Sequence, residues 1–230
     1  MPDALERLKI LINSSTPIVV METVEEMRAV SLVRNACAEL KMAVFEWSIA
    51  DGLVRSGSNT PAIPAADLQM RINAARHAAN PDAPESSKSA IYNTQDPVQA
   101  LANLEAMTLE AVFILKDFHR HMDSPVIVRR LRDVGQKFSA NRRTLILTAP
   151  SIAMPPELTS LIEYLDLPLP NQKRLLEIID ETFHRLAKSY AVKRTLDASG
   201  LGAMANNLRG LTEEEADRAV SQALVRRYAL

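Results

Sequence analysis

Apolar runs alternate with segments of helical periodicity along the first two thirds of the chain. Four clear runs lie at 17–23, 43–49, 111–117 and 143–149, and a weaker fifth, LIEYLDL, lies at 161–167. Near-continuous apolar runs of this length are typical of strands that are buried on both faces of a sheet. Because helical patterns separate these runs, their order predicts an α/β fold in which a five-stranded parallel sheet lies between helices.

Cap signals support the helices of this core. Apolar residues recur at helical spacing between positions 27 and 40, directly after the first strand. Asp96 can cap a helix whose first residue is Pro97, and Ser124 with Pro125 repeats this signal after the third strand. These signals predict one helix on each side of the third strand.

Periodicity fades between residues 51 and 95. Gly, Ser, Pro, Ala and Asn dominate this stretch, and four prolines interrupt any long element. A connection of this length and composition is typical of a surface insertion. We therefore expect 51–95 to be a flexible insertion in the core.

The pattern changes after LPLP at 167–170, because helical periodicity continues and no further strand pattern follows. The last helix has a capping-box signal at its start, with Thr212 followed three residues later by Glu215. The expected organisation is an α/β core at 1–170 and a small helical subdomain at 171–230.

The composition of the chain disfavours nucleic acid and membranes as partners. The chain of 230 residues has a net charge of −1 and a pI near 6.4, which gives no excess positive field for nucleic acid or an anionic membrane. No apolar stretch approaches the length of a membrane span, and acidic residues near the N-terminus argue against a secretory signal. A single cysteine, Cys37, cannot form an internal disulfide. The expected location is cytoplasmic.

The strand AVFILKD delivers Asp117 at its end, as a strand does in phosphate-handling enzymes that bind magnesium. A complete nucleotide site also needs a glycine-rich loop with a lysine after the first strand. This chain has METVEEMRAV there, without glycine or lysine. Its glutamates occupy the helix start that a phosphate would use and repel phosphate. Lys116 and Phe118 flank Asp117, so no adjacent acidic residue can activate water.

Several motifs, in this order, resemble an AAA module with a helical lid. They are TVEEMRA, WSIADGL, LKDFH, RRLRDVGQKFSANRRTLILTAP, PPELTSLIEYLDLPLP and LGAMANNLRGLTEEEADRAVSQAL. More narrowly, they are similar to the N-terminal half of the AAA ATPases known as chloroplast and cyanobacterial conserved hypothetical reading frames. In that family a second AAA domain with intact nucleotide motifs follows.

The resemblance implies a P-loop-NTPase-like core, with ATP and magnesium as cofactors of the parent family. It places Asp117 and Thr148 at vestigial nucleotide-site positions. The arginine that reaches a neighbouring subunit's phosphate is absent from SIAMPPELTSLIEYL. No cofactor is therefore expected for this chain alone. A purely structural role is favoured for both residues, with Asp117 bonding nearby backbone or pairing with Arg120 or Arg130, and Thr148 bonding a neighbouring strand end.

Two further groups of residues suggest binding. DFHRHMD places Asp117, His119, His121 and Asp123 at alternate positions, which would offer metal ligands from an extended segment; a polar loop that leads into the next helix is the favoured interpretation, and no metal site is expected. Basic residues also cluster between 129 and 143. Four of them are candidate interaction residues: Arg129, Arg130, Arg142 and Arg143.

Together these features predict a non-catalytic, pseudo-ATPase module with a degenerate Walker A segment. Its role would be protein–protein interaction or regulation of an AAA ATPase, through another AAA domain, self-association into an oligomer, or a protein partner. One alternative is part of an active AAA ATPase whose hydrolysing domain lies C-terminal to this chain. A further alternative is a nucleic-acid-binding adaptor that uses the arginine patch, which the charge balance and the 4% aromatic content disfavour.

Overall fold

The computed structural model describes residues 3–56, 94–188 and 198–228. The chain forms two compact units, Met1–Leu167 and Pro168–Leu230. In the described ranges, no helix combines the length and the apolar character that crossing a bilayer requires.

The first unit is an α/β sandwich. Its helices are α1 (Ala4–Asn13), α2 (Glu26–Leu40), α3 (Pro97–Ala106) and α4 (Pro125–Phe138). Its strands are β1 (Ile18–Glu22), β2 (Ala43–Ser48), β3 (Gly52–Arg55), β4 (Ala111–Lys116), β5 (Thr144–Ala149) and β6 (Ile162–Tyr164). Short 3-10 helices lie at Phe118–His121 and Pro156–Leu161.

The six strands form one sheet in the order β3-β2-β4-β5-β1-β6. All neighbouring strands are parallel except β3, which pairs antiparallel with β2. The predicted five-stranded parallel sheet is confirmed, and β3 is an addition that the sequence did not reveal. Because β1, β2, β4 and β5 run in one direction, their last residues lie at a common edge, called here the carboxyl edge.

Side chains alternate between the two faces of the sheet and bury two core layers. Ile18 and Val20 point towards a cluster that includes residues of α3 and α4, whereas Val19 and Met21 point towards a cluster with α1 and α2. Cys37 lies in the second layer, and burial raises the pKa of its thiol to about 12. The carboxyl edge therefore has an α2 side and an α4 side.

The prediction that the whole of 51–95 is a flexible insertion is wrong at both ends of this range. Gly52–Arg55 forms β3, and Thr94 is completely buried beside it. Leu53 N donates to Thr94 Oγ1 at 2.7 Å, and Trp47 Nε1 donates to Thr94 O at 2.5 Å. The two ends of the segment are thus fixed in the core of the first unit, while 57–93 lies outside the described residues.

The second unit contains α5 (Gln172–Ala187), α6 (Ala198–Asn207) and α7 (Glu213–Tyr228). Leu175 and Val220 are completely buried in a core shared by these helices. The predicted capping box is confirmed, since Thr212 N donates to Glu215 Oε2 at 2.9 Å and Glu215 N donates to Thr212 Oγ1 at 3.2 Å. These reciprocal bonds satisfy donors that the first turn of α7 leaves free.

Candidate functional site

The turn between β1 and α2 has three residues, 23–25. Thr23 N donates to Ala149 O at 2.8 Å, and Glu25 N donates to Thr23 Oγ1 at 2.9 Å. A phosphate-binding loop instead needs several free amides that curve around the phosphate. Here the turn is short and two of its amides are already bonded within the protein.

The carboxylates around this turn serve local structure. Glu25 is 3% exposed, and its Oε2 accepts from Arg28 Nη1 at 2.8 Å. Glu22 Oε1 accepts from Ile152 N at 2.7 Å and so fixes the segment that follows β5. Glu25 directly precedes α2 and so places negative charge at the start of this helix, where it is favourable to the helix and unfavourable to a phosphate.

Lys116, the last residue of β4, is the centre of an ion-pair network on the α2 side of the carboxyl edge. Its Nζ lies 3.2 Å from Glu26 Oε1 and 3.1 Å from Glu46 Oε2. Glu46 Oε1 also accepts from Arg34 Nε at 3.0 Å and from the Ser56 hydroxyl. These five residues, the Lys116 network, connect α2, β2, β4 and the residue after β3.

The network keeps its members charged. Burial opposes ionisation of Glu46, but hydrogen bonds from Ser56, Arg34 and Lys116 outweigh it and hold the pKa of Glu46 below its usual range. Burial likewise opposes the charge on Lys116, while Glu46 and Glu26 raise its pKa above the ordinary value. The ammonium group of Lys116, the residue directly before Asp117, is therefore committed to two carboxylates of the same chain.

Asp117 follows β4 and Thr148 is the fifth residue of β5, so both lie at the carboxyl edge. Asp117 adopts a left-handed backbone conformation with φ 52°, and its N donates to Thr148 O at 2.9 Å. Its exposed carboxylate has no recorded side-chain partner among the described residues, and Arg130 instead lies 3.7 Å from Glu105. Within the same ranges, the buried Thr148 Oγ1 has no hydrogen-bond partner.

The segment after β4 is not an extended row of ligands. Phe118–His121 is a 3-10 helix, in which Phe118 is buried 4.9 Å from the ring of Trp47. His121 packs edge-on against Trp47 at 5.8 Å between ring centroids. The alternating geometry on which the metal hypothesis depended is therefore wrong, and no group of three His, Cys, Asp or Glu that could hold a metal occurs in the described part of the chain.

The arginine patch separates into different environments. Arg129 pairs with Asp133 at 2.7 Å on the exposed surface of α4. Arg142 donates to Asn13 Oδ1 at 2.9 Å, at the opposite end of the sheet. Arg143 is 6% exposed, lies 4.5 Å over the ring of Phe138 and donates to a backbone carbonyl, so the expectation that it contributes to an exposed patch is wrong.

From the sequence alone, Lys116 is expected only to disrupt a metal site, and Glu46 is not among the predicted site residues. A signal for the pair is present in the sequence. A glutamate in AVFEWS and a lysine in AVFILKD interrupt two apolar strands, and the register pairs Glu46 with Ile114, two residues before Lys116. Two opposite charges on one face of neighbouring strands predict an ion pair.

The class of protein, an AAA ATPase module, follows from two family matches. Residues 4–167 match the SpoVK-like AAA ATPase, N-terminal domain, and residues 173–230 match the SpoVK-like AAA ATPase, second domain. The chain belongs to the SpoVK-like AAA ATPase family, which confirms the resemblance seen in the sequence.

Relatives of this chain are longer proteins. The AAA domain-containing protein ycf46 of Trieres chinensis is 26% identical over 220 residues, which cover 94% of this chain and 37% of that protein. The protein of the same name from Pyropia yezoensis is 24% identical over 219 residues, with the same two coverages. The chain thus spans 37% of the length of these two relatives.

Solved AAA and P-loop structures support the fold. Domain III of the Thermotoga maritima replication initiation protein DnaA has a TM-score of 0.52 at 10% identity and covers 97% of this chain and 82% of that chain. A RuvB variant from Thermotoga maritima has a TM-score of 0.51 at 14% identity, with 97% and 61% covered. At these identities the likeness shows the fold alone.

Proposed function

We propose that this chain is a non-hydrolysing AAA module, a pseudo-ATPase domain that works through protein contacts. The observation that carries the proposal is the Lys116 network, together with the three-residue acidic turn after β1. A nucleotide site would carry an acidic or an uncharged residue directly before Asp117. This chain has the cationic Lys116 at that position. Its charge is already balanced by Glu26 and Glu46.

A triphosphate would meet three obstacles at this edge. It would lack a ring of free amides, because the turn is short and bonded internally. It would approach the glutamates at the start of α2, whose charge repels it. To use the Lys116 ammonium, it would have to displace two carboxylates that already lie within 3.2 Å. Without a ring of free amides and a free ammonium group, ATP would have to bind in a different mode.

A module without hydrolysis can still act by binding and regulation. We prefer a protein as the partner, which would be another AAA domain, a second copy of this chain or another protein. Nucleic acid is less favoured, because Arg129, Arg130 and Arg142 lie near carboxylates and Arg143 is buried. Neutralised arginines contribute little to the counterion release on which nucleic-acid affinity depends.

The alternative is that the chain is the leading part of an active ATPase whose hydrolysing domain lies C-terminal to it. The coverage of 37% of the relatives supports this possibility, because most of their length is outside the match. The two proposals are compatible, since a non-hydrolysing module could regulate a hydrolysing domain in the same protein.

The direct test is to titrate the chain with ATP and magnesium. Binding is measured by calorimetry and by thermal unfolding. We expect no saturable heat and no rise in Tm. A ligand at 100 times its Kd would stabilise the folded state by about 2.7 kcal/mol, which thermal unfolding detects readily. Saturable binding at micromolar ATP would overturn the proposal. ADP without magnesium serves as the second ligand, because it tests for binding that does not need the metal.

A further inference from the structure

A solvent-accessible groove lies on the α4 side of the carboxyl edge, away from the Lys116 network. Its volume is about 460 Å³. One wall is the first half of α4, and the other is the segment between β5 and β6. The lining used in the argument below is Met122, Asp123, Pro125, Val128, Arg132 and Pro155.

The floor of the groove is apolar. Met122 is 7% exposed and belongs to the core layer under α3 and α4. Pro125, Val128 and Arg132 follow one another at intervals of three and four residues, so they lie along one face of α4. A partner side chain placed between Pro125 and Pro155 would meet mainly carbon atoms.

The two ends of the groove carry opposite charges. Asp123 precedes α4, and Arg132 lies nine residues later, which corresponds to about 13 Å along a helix. No hydrogen bond or ion pair is recorded for either side chain within the described ranges. Arg129, which also lines the groove, is instead paired with Asp133 at 2.7 Å. Each end thus has one charged group that is available to a partner.

The second wall of the groove adds another carboxylate to the lining. Leu161 packs against Gly135 near the end of α4, where an added Cβ would lie 3.1 Å from Leu161 Cδ1. Pro155 lines the groove beside the first half of α4. Glu157, in the 3-10 helix Pro156–Leu161, is a further carboxylate of the lining.

We propose that this groove docks a short extended segment of a partner protein, with a basic side chain at the Asp123 end, aliphatic side chains in the middle and an acidic side chain at the Arg132 end. A length of about 13 Å holds roughly four residues of extended chain. The groove is the surface through which the module would make the protein contacts of the proposed function. This inference therefore rests on the proposal that the module works through protein contacts. The lining carboxylates and the lack of aromatic lining oppose nucleic acid.

The probe is the blocked tetrapeptide acetyl-Lys-Val-Leu-Glu-amide, titrated into the ¹⁵N-labelled chain and followed by amide chemical shifts. We expect saturable shifts at Val128 and Arg132, with a Kd on the order of 0.1–1 mM, because so small a contact supports only weak binding. Arg132→Glu and Asp123→Lys should each weaken binding roughly tenfold or more, since each places like charges together. Arg130→Glu is the matched control on α4, and it should change the Kd by less than about twofold because Arg130 is not part of the groove.

Charge exchange makes the test specific. The Asp123→Lys variant should bind acetyl-Glu-Val-Leu-Glu-amide more tightly than it binds the first peptide, because its new lysine pairs with the glutamate at the first position of the second peptide. Arg132→Gln provides a milder variant in case Arg132→Glu does not fold, and Trp47 fluorescence reports folding of the first unit. Absence of saturable shifts, or binding that neither charge change affects, would overturn the proposed groove. Nucleotide binding in the separate ATP titration would overturn only the non-hydrolysing assignment.

Discussion

At the scale of single residues, Lys116 connects the sheet to α2. Its ammonium lies between Glu26 and Glu46, whose side chains are 41% and 14% exposed. An exposed ion pair contributes little to stability, whereas a partly buried carboxylate that loses its cation keeps an uncompensated desolvation cost. Most of the contribution of Lys116 should therefore come through Glu46.

We predict that Lys116→Met lowers the free energy of unfolding by about 1–3 kcal/mol, because Glu46 loses a charged donor at a site of low exposure. Urea denaturation at neutral pH measures this loss. Lys173→Met is the matched control: Lys173 is 87% exposed and lies 4.0 Å from Glu177, so its replacement should cost less than about 0.5 kcal/mol. Equal losses in the two variants would show that the Lys116 network adds no specific stability.

The pH dependence gives a second measurement of the same variant. The pKa of Glu46 in the folded chain is lowered from 4.5, so its stabilisation is present above that value and is lost as the pH falls through the folded pKa. The difference between the original chain and Lys116→Met should therefore shrink on acidification below about pH 4.5. A difference that stays constant down to pH 3 would exclude Glu46 as its source.

At the scale of elements, β3 depends on a residue far from it in the chain. Leu53 N is buried and donates to Thr94 Oγ1, and Gly52, with φ +73°, brings its backbone so close that an added Cβ would lie 2.7 Å from the same oxygen. An edge strand of four residues has little pairing energy of its own. Thr94 thus holds the β2–β3 hairpin against the start of the segment that leads to α3.

We predict that Thr94→Val costs about 1–3 kcal/mol, because the substitution keeps the volume but leaves Leu53 N without its acceptor. Denaturation and hydrogen exchange at the Leu53 amide measure the effect, and exchange there should become faster. Thr94→Ser retains the hydroxyl and should protect the Leu53 amide more than Thr94→Val does. Unchanged exchange in Thr94→Val would mean that the hairpin is held by other contacts.

The same elements show what the sequence can and cannot predict. The five parallel strands were predictable because each is an apolar run bounded by turns or caps, and the caps at Asp96 and Thr212 were predictable because they act within a few residues. β3 was not, since GLVR is short and its acceptor, Thr94, is 41 residues away from Leu53. Arg143 was misplaced for a similar reason, because burial over Phe138 depends on packing that no local pattern records.

At the scale of the whole molecule, the hydrophobic cores are separate. The core of the second unit consists of residues from α5, α6, α7 and their connections, including Leu175, Ala216 and Val220. The core of the first unit contains Trp47, the single tryptophan of the chain, which is 1% exposed. Tryptophan fluorescence therefore reports the first unit, while helical circular dichroism reports both.

We predict that Leu175→Ala weakens the second unit by about 2–5 kcal/mol, the usual cost of truncating a fully buried leucine. The helical signal should then begin to unfold at lower urea, while the Trp47 transition keeps its midpoint, because the lost contacts belong to the second core alone. Leu176→Ala, at a neighbouring position that is 36% exposed, should shift neither signal by more than a small amount. If Leu175→Ala instead moves the Trp47 midpoint as far as it moves the helical one, the two cores unfold as one cooperative structure, and substitutions in either would then affect the carboxyl edge and its groove alike.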